Sequence, residues 1–151
     1  MTDPNFITKN FRYSEFDAEH APADVKANLH NLCTAVLQPL RDALGRSMIV
    51  TSGYRPGDSD SDHRNGKAAD VKVAGMSSRE LAAFVEDVRH SIDTIGGDDA
   101  PWYDQLIWYD STDAHPDTHV HLGWRGAQNR GMLLHAIRPA AGKTHYERTK
   151  P

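Results

Sequence analysis

The chain has 151 residues, of which 38% are hydrophobic and 25% charged, a composition typical of one globular domain with a buried core. The mean hydropathy of -0.64, with no apolar run near the ~20 residues of a bilayer span, excludes a membrane-inserted protein. A formal net charge of -4 argues against nucleic acid as the main partner, and the single Cys33 excludes an internal disulfide framework.

The first half of the chain predicts a helix followed by two strands. Residues 22–44 carry apolar side chains at three- and four-residue steps and stop at Gly45, as an amphipathic helix does. Pro39 should kink or divide this helix, because proline removes one backbone hydrogen bond and crowds the preceding turn. The apolar run 48–51 predicts a buried strand with a long polar loop after it. Residues 68–73 then alternate in character and predict a second strand.

The second half predicts one more helix and a strand pair. The sequence Ser-Ser-Arg-Glu at 77–80 is a capping box, and apolar residues on one helical face follow it. The Gly-Gly-Asp-Asp sequence at 96–99 predicts a turn. Segments 104–109 and 118–123 predict strands joined by a polar hairpin loop. Segment 132–137 fits either a strand or a short helix.

These elements predict a single α+β domain over residues 1–151. Its core is expected at about residues 10–137, with a C-terminal tail after that. No internal repeat, low-complexity block or domain boundary interrupts the chain.

The stretch Ser-Asp-His-Arg-Asn-Gly-Lys-Ala-Ala-Asp places His63 and Asp70 on either side of Gly66, which lets the chain reverse tightly. A catalytic zinc ion takes three protein ligands with nitrogen or oxygen donors and keeps a fourth position for water. The two side chains could supply two of these ligands. Each also has an ordinary interpretation, as a surface histidine in a polar loop and as a turn or cap aspartate.

A third ligand could come from the later strand, which carries His119 and His121. Side chains two residues apart on a strand share a face, so one histidine could bind the metal while the other acts as an acid, a base or a charge stabiliser. Nine histidines in a chain of this length also indicate metal or acid–base chemistry.

The ten-residue stretch resembles the Ser-x-His-x-x-Gly-x-Ala-x-Asp signature of the zinc D-Ala-D-Ala carboxypeptidases and related bacteriophage cell-wall peptidases. Other stretches are similar to landmarks of that family in the same order: NFRYSEF, VLQPLRDALG, TSGYR, DQLIW and HVHLGW. The resemblance spans roughly residues 10–125. It implies the fold shared with lysostaphin-type peptidases and the hedgehog signalling domain, a small antiparallel sheet with helices packed on one face.

Carried over residue by residue, the resemblance makes His63, Asp70 and His121 the ligands of one Zn²⁺ per chain. It makes Arg55 the group that binds a carboxylate of the substrate, a role that suits a guanidinium because it can donate two charge-assisted hydrogen bonds. Ser61 would lie at the rim of the site and position the substrate.

His119 would polarise the scissile carbonyl or stabilise the oxyanion. Many members of the family place Glu or Asp three residues before the last ligand, as general base, but that position is Thr118 here. Asp117 is one residue away, and Asp113 and His115 lie in the same loop. We predict that Asp117 is the base, brought to the metal by a bulge or register shift, with His119 assisting.

The resemblance implies a zinc metallopeptidase that cleaves peptide stems or cross-links of bacterial peptidoglycan, as a phage endolysin or virion-associated lysin. The sequence begins without a signal-peptide core, so we expect synthesis in the cytoplasm and action on the wall after release through a holin-type pore or within a phage particle. The expected state is a monomer whose partners are peptidoglycan peptides. Two alternatives stay open: a non-catalytic, zinc-stabilised domain that binds wall peptides, and a structural phage protein.

The bond cleaved also stays open. Carboxypeptidase action on D-Ala-D-Ala, endopeptidase action between L-Ala and D-Glu, and cleavage of D-Ala cross-links can all use such a site.

Overall fold

The computed structural model describes residues 3–57, 61–96 and 101–151, without the side chains of 92–96. Its helices and strands in chain order are β1 (Phe6–Thr8), β2 (Phe11–Arg12), α1 (Ala23–Leu32), α2 (Gln38–Leu44), β3 (Ile49–Ser52), β4 (Ala68–Lys72), α3 (Ser78–Gly96), β5 (Gln105–Tyr109), β6 (His119–Gly123), β7 (Met132–Ile137) and β8 (His145–Glu147). This content confirms the predicted α+β class. The turn predicted at 96–99 lies outside the described residues, apart from Gly96 at the end of α3.

Within the described ranges, six strands form one sheet in the order β3-β4-β6-β5-β7-β8, and β1 pairs with β2 apart from it. Neighbouring strands of the larger sheet are antiparallel except β5 and β7, which are parallel. Of the two interpretations of segment 132–137, the strand is the one observed. β8 lies in the segment that was predicted as a C-terminal tail. The sequence did not predict this strand, because three residues are too few to show strand alternation.

The predicted helix over 22–44 is divided, as expected from its proline. A π-helical turn at Cys33–Leu37 separates α1 from α2, and Pro39 lies at the start of α2, where its missing N–H is tolerated. Gly45 ends α2 with a φ of 68°. The described helices include none that combines the length and apolar character of a bilayer span.

The two faces of the sheet carry different residues, because successive side chains of a strand point to opposite faces. One face packs against α1, α2 and α3 in the main core. Its strand residues include Ala69, Val71, Leu106, Trp108, Val120 and Leu122. Alternate residues of the same strands point to the other face and line a cleft: Asp70, Ile107, Tyr109, His119 and His121. The helices therefore lie on one face of the sheet, and the candidate metal ligands Asp70 and His121 lie on the other.

Candidate metal centre

Three short segments bring His63, Asp70 and His121 together. β4 and β6 are antiparallel neighbours, and their register places Asp70 directly opposite His121. His63 lies in a 3₁₀ turn, Asp62–Asn65, that immediately precedes β4. The hydroxyl of Ser61 caps this turn by accepting a hydrogen bond of 3.1 Å from the backbone N–H of His63. Ser61 also lines the cleft, and its predicted position at the rim and contact with substrate stay predictions.

The donor atoms of the three side chains converge on one point. Nε2 of His63 lies 3.3 Å from Nδ1 of His121 and 3.4 Å from Oδ1 of Asp70, and the last two atoms are 3.1 Å apart. A tetrahedral zinc ion with bonds of about 2.0–2.1 Å separates its ligand atoms by about 3.3 Å. The three atoms are therefore spaced like three corners of such a tetrahedron, and the group could hold a metal ion.

Hydrogen bonds around the centre leave electron pairs directed into it. The backbone carbonyl of Gly53 accepts a 2.8 Å hydrogen bond from Nδ1 of His63, so Nε2 of that ring carries the lone pair. Burial by itself would raise the pKa of the Asp70 carboxyl, but the adjacent His121 and His63 rings hold this pKa well below its usual range. Two imidazole nitrogens and a carboxylate are a donor set that zinc prefers, so these residues fit the predicted ion.

Arg55 lies beside the centre and contacts the second oxygen of a metal-ligand candidate. Its Nη2 donates to Oδ2 of Asp70 at 2.9 Å, and its Nε donates to the hydroxyl of Ser52 at 2.8 Å. Its side chain is 41% exposed and lines the cleft. These bonds direct Oδ1 of Asp70 toward the two histidines, and the guanidinium stays within reach of a ligand in the cleft. Its predicted role toward a substrate carboxylate stays a prediction.

His119 connects the centre with Asp117. Its Nε2 lies 3.8 Å from Oδ2 of Asp70, and its Nδ1 lies 3.5 Å from Oδ2 of Asp117. Its ring stacks on Tyr109 with 4.2 Å between centroids, and burial lowers its pKa. Asp117 itself is 60% exposed and is held by Arg138 at 2.8 Å. A hydrogen bond from Arg138 lowers the pKa of Asp117, so this residue is a carboxylate that lies next to His119.

The bulge expected to turn Asp117 toward the metal is not observed in the paired part of β6. Residues 119–123 pair with β5 in unbroken register. Thr118 donates its hydroxyl to the backbone carbonyl of Tyr109 at 3.1 Å, which is a structural contact. Asp117, Asp113 and His115 are not among the described residues that line the cleft. Asp117 lies next to His119 rather than at the centre, and its assignment as general base, with His119 assisting, stays a prediction.

The cleft above the centre has a volume of about 520 Å³. Several residues that line it were not predicted from the sequence: Asp62, Gln105, Ile107, Tyr109, Arg125, Arg130, Leu134 and Tyr146. The alternation of β5 contained a usable signal for three of these, because residues 105, 107 and 109 must face away from the apolar Leu106 and Trp108. Leu134 and Tyr146 depend on which strands become neighbours, and Arg125 and Arg130 on how the segment after β6 packs, which local sequence does not reveal.

A buried carboxylate, Asp104, is linked to the turn of His63 through Arg125. Asp104 is fully buried and accepts hydrogen bonds from Nε and Nη2 of Arg130 at 3.0 and 2.8 Å, and Nε of Arg125 lies 3.3 Å away. Arg125 also donates to both oxygens of Asp62, the neighbour of His63, at 2.8 and 3.0 Å. Burial alone would raise the pKa of Asp104, but the hydrogen bonds from Arg130 bring it below its usual value.

Comparison with known proteins agrees with this geometry. The sequence model of the family described as Peptidase M15 matches residues 7–97, from β1 to just past α3, and includes His63 and Asp70. His121 lies beyond the matched range and is assigned to the centre by its position in the structure. No curated protein matches the chain. Because the matched range covers more than half of the sequence, the chain belongs to the Peptidase M15 family of zinc D-Ala-D-Ala carboxypeptidase-like peptidases.

Proposed function

We propose that this protein is a zinc peptidase that cleaves peptide stems or cross-links of bacterial peptidoglycan, as a phage endolysin or a virion-associated lysin. Family membership supports the reaction class. The observation that carries the proposal is the convergence of His63, Asp70 and His121 at 3.1–3.4 Å, next to an arginine, on one side of an open cleft.

Besides the three ligand candidates, Arg55, His119 and Asp117 have a part in this mechanism. A zinc ion held by the three ligands supplies Lewis-acid chemistry, which acidifies water and polarises a carbonyl group. Arg55 binds a carboxylate of the substrate and thereby orients the peptide. The Asp117 carboxylate favours the His119 tautomer with its proton on Nδ1, which leaves Nε2 to accept a proton from water and pass it to the leaving amine.

The charges of the cleft favour an anionic peptide. Arg55, Arg125 and Arg130 all line it. Peptide stems of the wall carry carboxylates on D-Glu and on the terminal D-Ala. The partly exposed guanidinium groups of Arg55 and Arg130 can bind such carboxylates, although each is also paired with an aspartate of the protein and the whole chain has a net charge of -4.

Digestion of purified wall with the zinc-loaded protein, followed by mass spectrometry of the released fragments, tests the proposal and identifies the bond. We expect soluble peptide fragments from the parent, and neither fragments nor bound zinc with His63→Ala. The control is His30→Ala, an exposed histidine at the end of α1, which should keep both. Full lytic activity of His63→Ala would refute the metal mechanism.

A non-catalytic domain that binds wall peptides is the second candidate, and one observation favours it. Among the described cleft-lining residues the carboxylates are Asp62 and Asp70, one paired with Arg125 and the other among the ligand candidates, so neither is available as a general base. If the zinc-loaded parent sediments with purified wall but releases no fragment from any wall type, this second function replaces the first.

A further inference from the structure

A row of side chains crosses the sheet beside the metal centre and reaches the C-terminal strand. Tyr109 lies opposite His119 on β6 and opposite Ala136 on β7, and Ala136 lies opposite Tyr146 on β8. Because the side chain of Ala136 ends at Cβ, the two tyrosine rings meet above it. Their hydroxyl oxygens are 3.3 Å apart, and the rings are edge to face at 85°. β8 thereby adds a wall to the cleft.

The floor in front of this wall is apolar. Ile107 lies opposite His121, and Leu134 lies opposite Ile107 in the next strand; both are buried and line the cleft. They pack with Ala136 in a small cluster separate from the main core. Arg55 lies beyond the metal centre in the opposite direction, on the side of β3 and β4. The floor between the metal centre and β8 is therefore apolar, while Arg55 lies on the other side of the centre.

The tyrosine pair offers a hydrogen-bond donor without a charge. Burial, and then the hydrogen bond with Tyr146, raise the pKa of Tyr109, so its phenol stays protonated near neutral pH. Of the two hydroxyl protons, one lies between the oxygens and the other remains for an outside acceptor. Tyr146 is 49% exposed, so a ligand in the cleft can reach it.

We propose that Tyr146, paired with Tyr109, binds the uncharged end of the peptide substrate. Its hydroxyl donates to a backbone carbonyl of the peptide, while small or apolar side chains lie on Ile107 and Leu134. This inference rests on the proposed peptidase function and specifies the orientation of the substrate, with its carboxylate toward Arg55. At about 4.8 Å per strand, β8 lies about 14 Å from β6, which about four extended residues can span.

The test uses the zinc-loaded full chain and a synthetic wall stem that contains both the L-Ala–D-Glu and the D-Ala–D-Ala bonds. Initial rates give KM and kcat, and calorimetry gives the Kd of an uncleavable stem in which these two bonds are reduced to CH₂–NH. We expect Tyr146→Phe to raise KM and Kd about 3- to 10-fold with kcat nearly unchanged, because one hydrogen bond is lost. Tyr146→Ala should raise both further, because the aromatic wall is lost as well.

His145→Ala is the matched control, because it lies on the same strand, is exposed and points to the opposite face from Tyr146. It should leave KM and Kd within twofold of the parent. If the parent cleaves the stem but both Tyr146 variants behave like this control, the inference is wrong and the peptidase function stands. If the parent binds the stem without cleaving it, the peptidase function is wrong, and the Kd values still decide the role of Tyr146. A parent that neither binds nor cleaves the stem overturns both.

Discussion

Gly53 and Gly66 allow other parts of the chain to pack closely against the segments around His63. A Cβ on Gly66 would lie 2.5 Å from the backbone oxygen of Val25 in α1, and a Cβ on Gly53 would lie 2.5 Å from Cα of Phe16. Gly66 also has a φ of +72°, and the carbonyl of Gly53 accepts the hydrogen bond from the His63 ring. Glycine is therefore required at position 66 for two reasons, the positive φ of the turn and the close approach of α1.

Replacement of Gly66 tests this explanation. Gly66→Ala should lower the free energy of unfolding by about 2–4 kcal/mol, because strain at positive φ is added to a clash with backbone that cannot move away. The measurement is urea denaturation followed by tryptophan fluorescence. Gly45→Ala is the control, since its φ of +68° is similar but a Cβ there meets nothing within 4 Å; we expect a loss of about 1 kcal/mol. Equal losses in the two variants would show that packing of α1 is not the reason.

The lowered pKa of Asp104 predicts a dependence of stability on pH. A carboxyl whose folded-state pKa lies below its unfolded value of about 3.9 stabilises the fold above that value, and this contribution is lost as the pH falls through the folded pKa. Asp104→Asn should cost about 2–3 kcal/mol at pH 7, less than a fully buried pair, because the side chains of Arg125 and Arg130 are 36% and 44% exposed.

Urea denaturation at a series of pH values measures this effect. The difference in free energy of unfolding between the parent and Asp104→Asn should shrink as the pH is lowered from 7 to 3. The exposed Asp113→Asn should track the parent throughout. If this difference in free energy of unfolding does not change with pH, Asp104 stabilises the fold through packing and uncharged hydrogen bonds rather than through its charge.

At the scale of elements, β7 positions the loop that precedes β6. Arg138, next to the end of β7, donates to the carboxylate of Asp117 and to the backbone carbonyls of Asp117 and Asp110, at 2.6–2.8 Å. Its guanidinium also lies 5.3 Å from the ring centre of Tyr109. Asp117, which orients His119 in the proposed mechanism, is therefore fixed by a strand on the far side of β5.

Replacement of this arginine should affect the rate more than substrate binding. Arg138→Lys keeps the charge but cannot make three hydrogen bonds in the same fork, so we expect kcat to fall about 10-fold with KM nearly unchanged. Steady-state kinetics on a synthetic wall stem measures both, with the exposed Arg148→Lys as control. A change in KM alone would place Arg138 in substrate binding instead.

The sequence predicts those elements whose signal is local. The periodicity of 22–44 and the capping box at 77–80 both correspond to helices, and the hydroxyl of Ser77 and the carboxylate of Glu80 each accept the other's backbone N–H at 3.0–3.1 Å. The signature stretch likewise indicated the ligand candidates, because His63 and Asp70 are adjacent to the same turn. Tyr146 and Arg138 carried no such signal. Their positions depend on pairings between β5, β7 and β8, which are decided by long-range packing.

At the scale of the molecule, the metal centre joins distant parts of the chain. Asp70 and His121 are 51 residues apart, and His63 and His121 are 58 residues apart. An ion bound by all three residues closes these loops in the folded state. It should stabilise the fold in the manner of a cross-link, by as much as about 4 kcal/mol for a loop of this length.

Removal of metal should therefore lower the melting temperature. We expect Tm of the zinc-loaded parent to fall by roughly 10 °C after treatment with a chelator, and to recover when zinc is restored. Differential scanning calorimetry measures the shift, with metal content determined on the same samples. His63→Ala should melt at one temperature with or without chelator. An unchanged Tm in a parent that has lost its zinc would contradict the prediction, because it would show that the ion does not stabilise the folded state.

Alternate residues along the strands of the sheet serve two purposes, packing of the core and lining of the cleft. On β5 and β6 the odd-numbered residues face the cleft, and on β7 and β8 the even-numbered ones do, while the intervening positions of β5, β6 and β7 pack under the helices or beside the core. Substitutions at 105, 107, 134 and 146 can alter what the cleft accepts while the main core stays untouched. Substitutions at alternate residues of a few short strands can therefore change which substrates the cleft binds without changing the fold.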